Sequence, residues 1–195
     1  MRCAGAPVLT LAAAAGGHLF WIASRAAGIA ALLLASVSVG VGLLQGTRVA
    51  KPGRDLKALH EALSLATIGA VLVHGVTLLG DGFMHPSVAD LTIPFASSYK
   101  TFWTSLGIVS GWALIALGLS YYARQRIGIA RWRTLHRFTA LAWLGGLVHS
   151  LGEGTDSGQG WFLVGIGVAV LPSLCLLVWR TAGPTLLARP RASLR

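Results

Sequence analysis

Acidic residues are scarce in this chain: six Asp and Glu stand among 195 residues, against sixteen Lys and Arg, for a net charge of +10. Charges of both signs make up 11% of the sequence, where an average soluble domain carries about 25%. So few charges cannot cover a water-exposed surface, and with 54% hydrophobic residues and a mean hydropathy of +0.69 an integral membrane protein is expected. Cysteine is nearly absent. Cys3 lies near the N-terminus and Cys175 inside an apolar run, which excludes a disulfide framework. No G-x-G-x-x-G follows a strand, there is no P-loop, and no polar stretch is long enough for a flavin or nucleotide domain, so no FAD or NAD(P) site is expected. The basic residues fall in short clusters between apolar runs, a pattern that suits membrane topology and not nucleic acid.

What the sequence does contain is a series of apolar segments of spanning length. The expected fold is all-α, a polytopic membrane helix bundle of five transmembrane helices preceded by an apolar N-terminal arm over residues 1–19. That arm reads as signal-like or interfacial, residues 20–182 as the transmembrane domain and 183–195 as a cytoplasmic tail. The helices are expected over Phe20 to Leu44, Leu56 to Leu79, Thr101 to Ala123, Leu135 to Leu151 and Trp161 to Trp179. Arg48, Lys51, Arg54 and Lys57 mark one cytoplasmic loop, Arg124, Arg126, Arg131, Arg133 and Arg137 the next, and Arg180, Arg189, Arg191 and Arg195 the tail. Lys100 is the lone base in the two intervening loops, so the positive-inside rule predicts an external N-terminus, a cytoplasmic C-terminus and multi-pass residence in the cell membrane. Under that topology the second and fourth helices run parallel.

Four histidines fall on those two parallel helices. His60 and His74 are fourteen residues apart, a rise of about 21 Å over nearly four whole turns. His136 and His149 are thirteen apart, or about 20 Å. The two residues of one helix cannot grip the same ion, whereas His60 with His136, and His74 with His149, share a depth. Taken singly, each has a bland reading as a hydrogen bond to a neighbouring helix. Four ionisable groups at matched depths call for a role, because such groups are expensive in a membrane. Zinc needs four ligands, and no nearby Cys, Asp or Glu completes a pair of histidines. Haem needs only two axial ligands, and its macrocycle brings its own four nitrogens and a large apolar face. Bis-His haem is therefore the expected cofactor, with a non-redox transporter or assembly subunit using the histidines as a proton relay as the alternative. One difficulty is geometric: thirteen residues of ideal helix leave His136 and His149 some 140° apart, and Gly145 with Gly146 are the expected place for a tightening or bend.

With its histidines at spacings of fourteen and thirteen, the chain resembles the ferric reductase-like transmembrane domain shared by ferric reductases and NADPH oxidases. W-I-A-S-R-A-A-G at Trp21 to Gly28, P-F-A-S-S-Y at Pro94 to Tyr99, R-T-L-H-R at Arg133 to Arg137 and G-T-D-S-G at Gly154 to Gly158 look like small bacterial members without a flavin domain. The resemblance covers roughly residues 20 to 182. It implies two b-type haems, with the irons held by His60 and His136 on the inner side and by His74 and His149 on the outer. It also implies an oxidoreductase membrane component that takes electrons from a cytoplasmic flavin reductase or a quinol. The external acceptor would be ferric iron, oxygen or a partner oxidoreductase, as for the haem subunit of periplasmic methionine sulfoxide reductase systems.

Arg25 is the only formal charge well inside the first helix, at the depth of His74. It reads either as a guanidinium snorkelling to the interface or as a bidentate partner of a haem propionate. Arg137 and Lys57 are weaker propionate candidates for the inner side, since both fit the topology rule. His85 with Met84, and His18, read as solvated residues, and Trp112 and Trp143 as core packing in preference to a place between cofactors.

Overall fold

Long apolar runs with few prolines leave the backbone no alternative to satisfying itself internally, and the described residues of the chain contain helices and no strand. In this computed structural model residues 6–46 and 54–187 are described; the predictions for residues 1–5, 47–53 and 188–195, with Arg48, Lys51, Arg189, Arg191 and Arg195, fall outside them. The first helix, α1 (Ala6–Gly46), has Pro7 in its first turn, where a missing N–H breaks no bond, and no later proline interrupts it. The described part of the predicted N-terminal arm is thus one helix with the first span. Then follow α2 (Arg54–Leu78), the short α3 (Val88–Thr92), α4 (Thr101–Leu119), α5 (Arg124–Ile127), α6 (Ile129–His136), α7 (Thr139–Glu153) and α8 (Gly160–Leu187). A capping box at Ser87 and Asp90 starts α3 between the two loop prolines. Gly128, at φ 91°, makes the left-handed corner between α5 and α6.

Among the described residues four helices are long and apolar enough to cross a membrane: His18–Gly46, Asp55–Leu78, Thr101–Leu119 and Gly160–Ala182. The expected fourth of five spans is not among them. The predicted fourth span, Leu135 to Leu151, is divided between α6 and α7, and the fifteen residues of α7 rise only about 22 Å against a hydrocarbon core of about 30 Å. The division falls at Arg137 and Phe138, not at Gly145 and Gly146. There Arg137 N–H reaches the Thr134 carbonyl at 3.3 Å, Phe138 N–H the Leu135 carbonyl at 3.0 Å and Ala140 N–H the Arg137 carbonyl at 3.3 Å, all i to i−3 bonds. Each such step turns about 120° instead of about 100°, so three of them recover about 60° of the mismatch between His136 and His149. Gly145 serves close packing instead, because a Cβ there would lie 2.3 Å from Ser110 Oγ on α4.

The bundle is two helical hairpins with α8 added. In one, α2 packs along α1; in the other, α7 packs along α4; α1 also carries α7 and α8. The core at that junction consists of Leu32, Ala35, Trp143, Phe162, Ile166 and Val170. Trp143 is fully buried and donates its indole N–H to Ser36 Oγ at 2.9 Å, Ser36 donates to the Leu32 carbonyl at 2.7 Å, and Ser173 donates to the Ser36 carbonyl at 2.7 Å. Small hydroxyls thus tie α1, α7 and α8 together from inside. Large apolar side chains such as Val76, Val168 and Val164 stand on the outside, with Val168 73% exposed, the arrangement a lipid solvent favours.

The junction makes a prediction. Trp143→Phe, which keeps an aromatic ring and loses the bond to Ser36, should cost about 1 kcal/mol, while Trp143→Ala, which also opens a cavity, should cost about 3 to 5 kcal/mol. Thermal unfolding in detergent micelles reads both, and equal losses would contradict the packing assigned to the ring.

Candidate functional site

All four predicted histidines lie on the second helices of the two hairpins or at the break leading into one: His60 and His74 on α2, His136 at the end of α6 and His149 on α7. Each is partly or largely buried beside the first helix of its own hairpin. His74 Nδ1 donates to the Ser24 carbonyl on α1 at 2.8 Å, and His60 Nδ1 to the Ser38 carbonyl at 2.9 Å. His149 Nδ1 donates to the Trp103 carbonyl on α4 at 2.8 Å. A carbonyl oxygen only accepts, so in these three rings Nδ1 carries the hydrogen, and in the neutral imidazole Nε2 keeps a free lone pair.

Access to a carbonyl inside a helix requires a gap in the side chains above it, and in each case a glycine provides one, four residues on. A Cβ at Gly28 would lie 3.1 Å from His74 Nδ1, one at Gly42 would lie 3.0 Å from His60 Cε1, and one at Gly107 would lie 2.6 Å from two atoms of the His149 ring. Serine hydroxyls brace the α1 side. Ser24 Oγ is 3.0 Å from His74 Nδ1 and donates to the His74 carbonyl at 3.1 Å, while Ser38 Oγ is 3.3 Å from His60 Nδ1 and 2.9 Å from Ser64 Oγ. None of these supporting residues was picked out from the sequence as a binding element. The signal was there: Ser24 and Gly28 recur as Ser38 and Gly42, fourteen residues later, at the spacing of His60 and His74.

Between the hairpins, His60 and His136 face each other with ring centroids 6.1 Å apart and planes at 90°. His149 lies within electrostatic reach of His74. α2 and α7 share no extensive contact, since each rests on its own partner helix. His60 and His136 therefore form a pair between the hairpins, with His74 and His149 at the other level. Among the described residues no group of three or more His, Cys, Asp or Glu is placed to hold a metal ion.

Arg25 stands beside Ser24, at the His74 end. It pairs with Asp156 of the loop between α7 and α8 and lies over the Trp21 ring, 4.1 Å from its centroid. At the same end Glu153 Oε2 is buried without a hydrogen-bond partner. Arg137 is exposed, as is His85, and exposed His18 stacks on Trp21 at 5.6 Å. Trp112 is exposed and donates to the Thr92 carbonyl at 3.0 Å, while Trp143 is in the core already described, so neither lies between the paired histidines.

If the glycines are there to admit the imidazoles, substitution should be felt according to clearance. Gly107→Ala should be the most damaging, Gly28→Ala and Gly42→Ala less so, and Gly75→Ala, where nothing lies within 4 Å, neutral or slightly stabilising. Unfolding temperatures in micelles give the order, and equal losses at all four positions would contradict it. In comparisons with known proteins, no protein-family model, curated protein or solved structure matches the chain.

Proposed function

We propose that the chain is a di-haem membrane protein that carries electrons from a cytoplasmic donor to an external acceptor, with one b-type haem at His60 and His136 and another at His74 and His149. The observation that carries this reading is the shared orientation of the imidazoles: three of four are latched by Nδ1 to a helix carbonyl, which leaves Nε2 as the ligating atom. Metal-binding histidines characteristically use the other ring nitrogen in this way. Their separation supports it too. His60 and His136 face each other with ring centroids 6.1 Å apart, and these two imidazoles would hold one haem, which would supply the remaining ligands.

Bound at each pair, haem would supply a one-electron couple. The chain's own residues hold three of the four imidazoles in one tautomer, with Nδ1 bound to a helix carbonyl. Arg25 is proposed as a propionate partner of the outer site: its guanidinium has five N–H donors, of which the contact with Asp156 uses only part.

For orientation, the reading takes α6 and α7 together as a fifth, broken crossing, residues 129–153. Arg124 and Arg126 then precede it and Arg131, Arg133 and Arg137 lie in its first part, on the cytoplasmic side, while Asp156 follows on the external side. His60 and His136 become the inner pair and His74 and His149 the outer. A separate flavin reductase or a quinol is the proposed donor, and ferric iron, oxygen or an external oxidoreductase the proposed acceptor.

The ~21 Å between the two depths makes the sites separate binding events. His74→Ala or His149→Ala should halve the haem per chain and abolish transfer to an impermeant external acceptor in proteoliposomes. The inner haem should remain reducible from the luminal side that corresponds to the cytoplasm. Full haem content with undiminished transfer in His74→Ala would contradict the ligand assignment, and a colourless wild-type protein from haem-replete cells would favour a proton relay.

A further inference from the structure

The connection from α2 to α4 has an unusual composition for a loop in water. Asp90 is the only Asp, Glu, Lys or Arg from Gly82 to Tyr99. Its carboxylate accepts from the Ser87 N–H at 2.9 Å and from Ser87 Oγ at 2.7 Å, so the one charge is already hydrogen-bonded. Large apolar side chains of the same stretch are left uncovered by protein: Phe95 is 71% exposed, and Val88 and Ile93 are exposed as well.

Two bonds to α4 show where this stretch sits. Trp112, well down α4, donates its indole N–H to the Thr92 carbonyl at the end of α3 at 3.0 Å, and the Phe95 N–H donates to Ser105 Oγ at 2.7 Å. Ser105 is itself buried and donates to the Thr101 carbonyl at 2.6 Å. Along the helix axis Ser105 is about 6 Å and Trp112 about 16 Å from Thr101. Even with the indole leaning toward the start of its helix, Thr92 to Phe95 run beside the first turns of α4 and not above its end. Lys100 brings the chain back to the end of α7, where its Nζ donates to the Gly152 carbonyl at 3.2 Å.

Non-helical backbone at such a depth in a bilayer has to find its partners within the protein, and here it does. The Ile93 N–H bonds the Ala89 carbonyl at 2.9 Å, Pro94 has no N–H, Ser105 takes the Phe95 N–H, and the Ala96 N–H reaches the Ile93 carbonyl at 3.3 Å. The chain also reverses tightly. Among the described residues the non-glycine positions with left-handed φ are His85, Phe95 and Lys100, at 45°, 67° and 39°, all in this connection. For a bulky Phe that conformation is costly and persists only where the surroundings impose it.

We propose that residues 88–96 form a re-entrant lobe seated in the leaflet at the His74 and His149 end of the bundle, with Val88, Ile93 and Phe95 against lipid acyl chains. The polar surface at that end is then left to the loop between α7 and α8, where Arg25 meets Asp156. The lobe requires a bilayer around the chain but no haem.

The test uses the full chain carrying Cys3→Ser and Cys175→Ser, with one new cysteine at a time, spin-labelled and reconstituted in phosphatidylcholine liposomes. Collisions with oxygen, which concentrates in hydrocarbon, and with a water-soluble nickel chelate are measured at Ile93→Cys and Phe95→Cys. Val168→Cys, on the apolar outside of α8, is the lipid reference, and Thr155→Cys, exposed between Glu153 and Asp156, the water reference. The labels at positions 93 and 95 should show the excess of oxygen over nickel collisions seen at position 168. Nickel collisions equal to those at position 155 would overturn the proposal, and so would labels shielded from both reagents. Spin–spin broadening that dilution with unlabelled chain removes would assign the face to a second copy and overturn the lipid contact. Should Phe95→Cys, at its left-handed backbone, fail to fold, Ile93→Cys decides by itself.

Discussion

The interaction on which the rest depends is the bond from an imidazole Nδ1–H to a carbonyl already used inside a neighbouring helix. It makes a helix backbone the second partner of His60, His74 and His149, and in a medium without water such a bond is stronger and its loss more costly than at a wet surface. It also dictates the neighbouring sequence. The ring can reach the carbonyl only over a residue with no side chain, which accounts for Gly28, Gly42 and Gly107. Because the latch always runs from the second helix of a hairpin to the first, it pairs α1 with α2 and α4 with α7.

Two different demands are met on the two sides of each helix. The outside carries valines, leucines and phenylalanines that no protein side chain covers, as a lipid-facing surface should. The inside carries serines in number: Ser24, Ser36, Ser38, Ser105, Ser110 and Ser173 are all buried. Several of them spend their hydroxyl on a helix carbonyl, and two of those are also acceptors for Trp143 or for an imidazole. Small hydroxyls let helices approach closely while satisfying the polar groups that the histidines and tryptophan bring inside. α1 is the helix that joins these systems, since Ser24 and Ser38 support the histidines on one face and Ser36 supports the core on another.

Much of this was readable from composition and spacing. Low charge, apolar runs and the placement of basic residues gave an all-helical membrane protein, and the fourteen-residue interval picked out His60 and His74 as one face of one helix. Among the described residues the structure shows four candidate spans where five were expected, because the segment carrying His136 and His149 is broken at Arg137 and Phe138. No proline or glycine marks that break; it is made by three i to i−3 bonds, which side-chain pattern does not announce. The latches were half legible, since the Ser-x-x-x-Gly repeat at Ser24 and Ser38 stands in the sequence but a serine and a glycine in an apolar helix have many uses. The contact of Arg25 with Asp156 depends on a loop returning from α7, which no local reading places.

The central claim is that the two pairs of imidazoles present Nε2 atoms to two separate haem irons. Purified from haem-replete cells, the full chain can be assayed for haem per polypeptide alongside its reduced-minus-oxidised optical spectrum. The account predicts two haems per chain, with low-spin b-type bands that neither carbon monoxide nor imidazole displaces because both axial positions of each iron are filled. A colourless protein, or one haem with an open axial position, would contradict it.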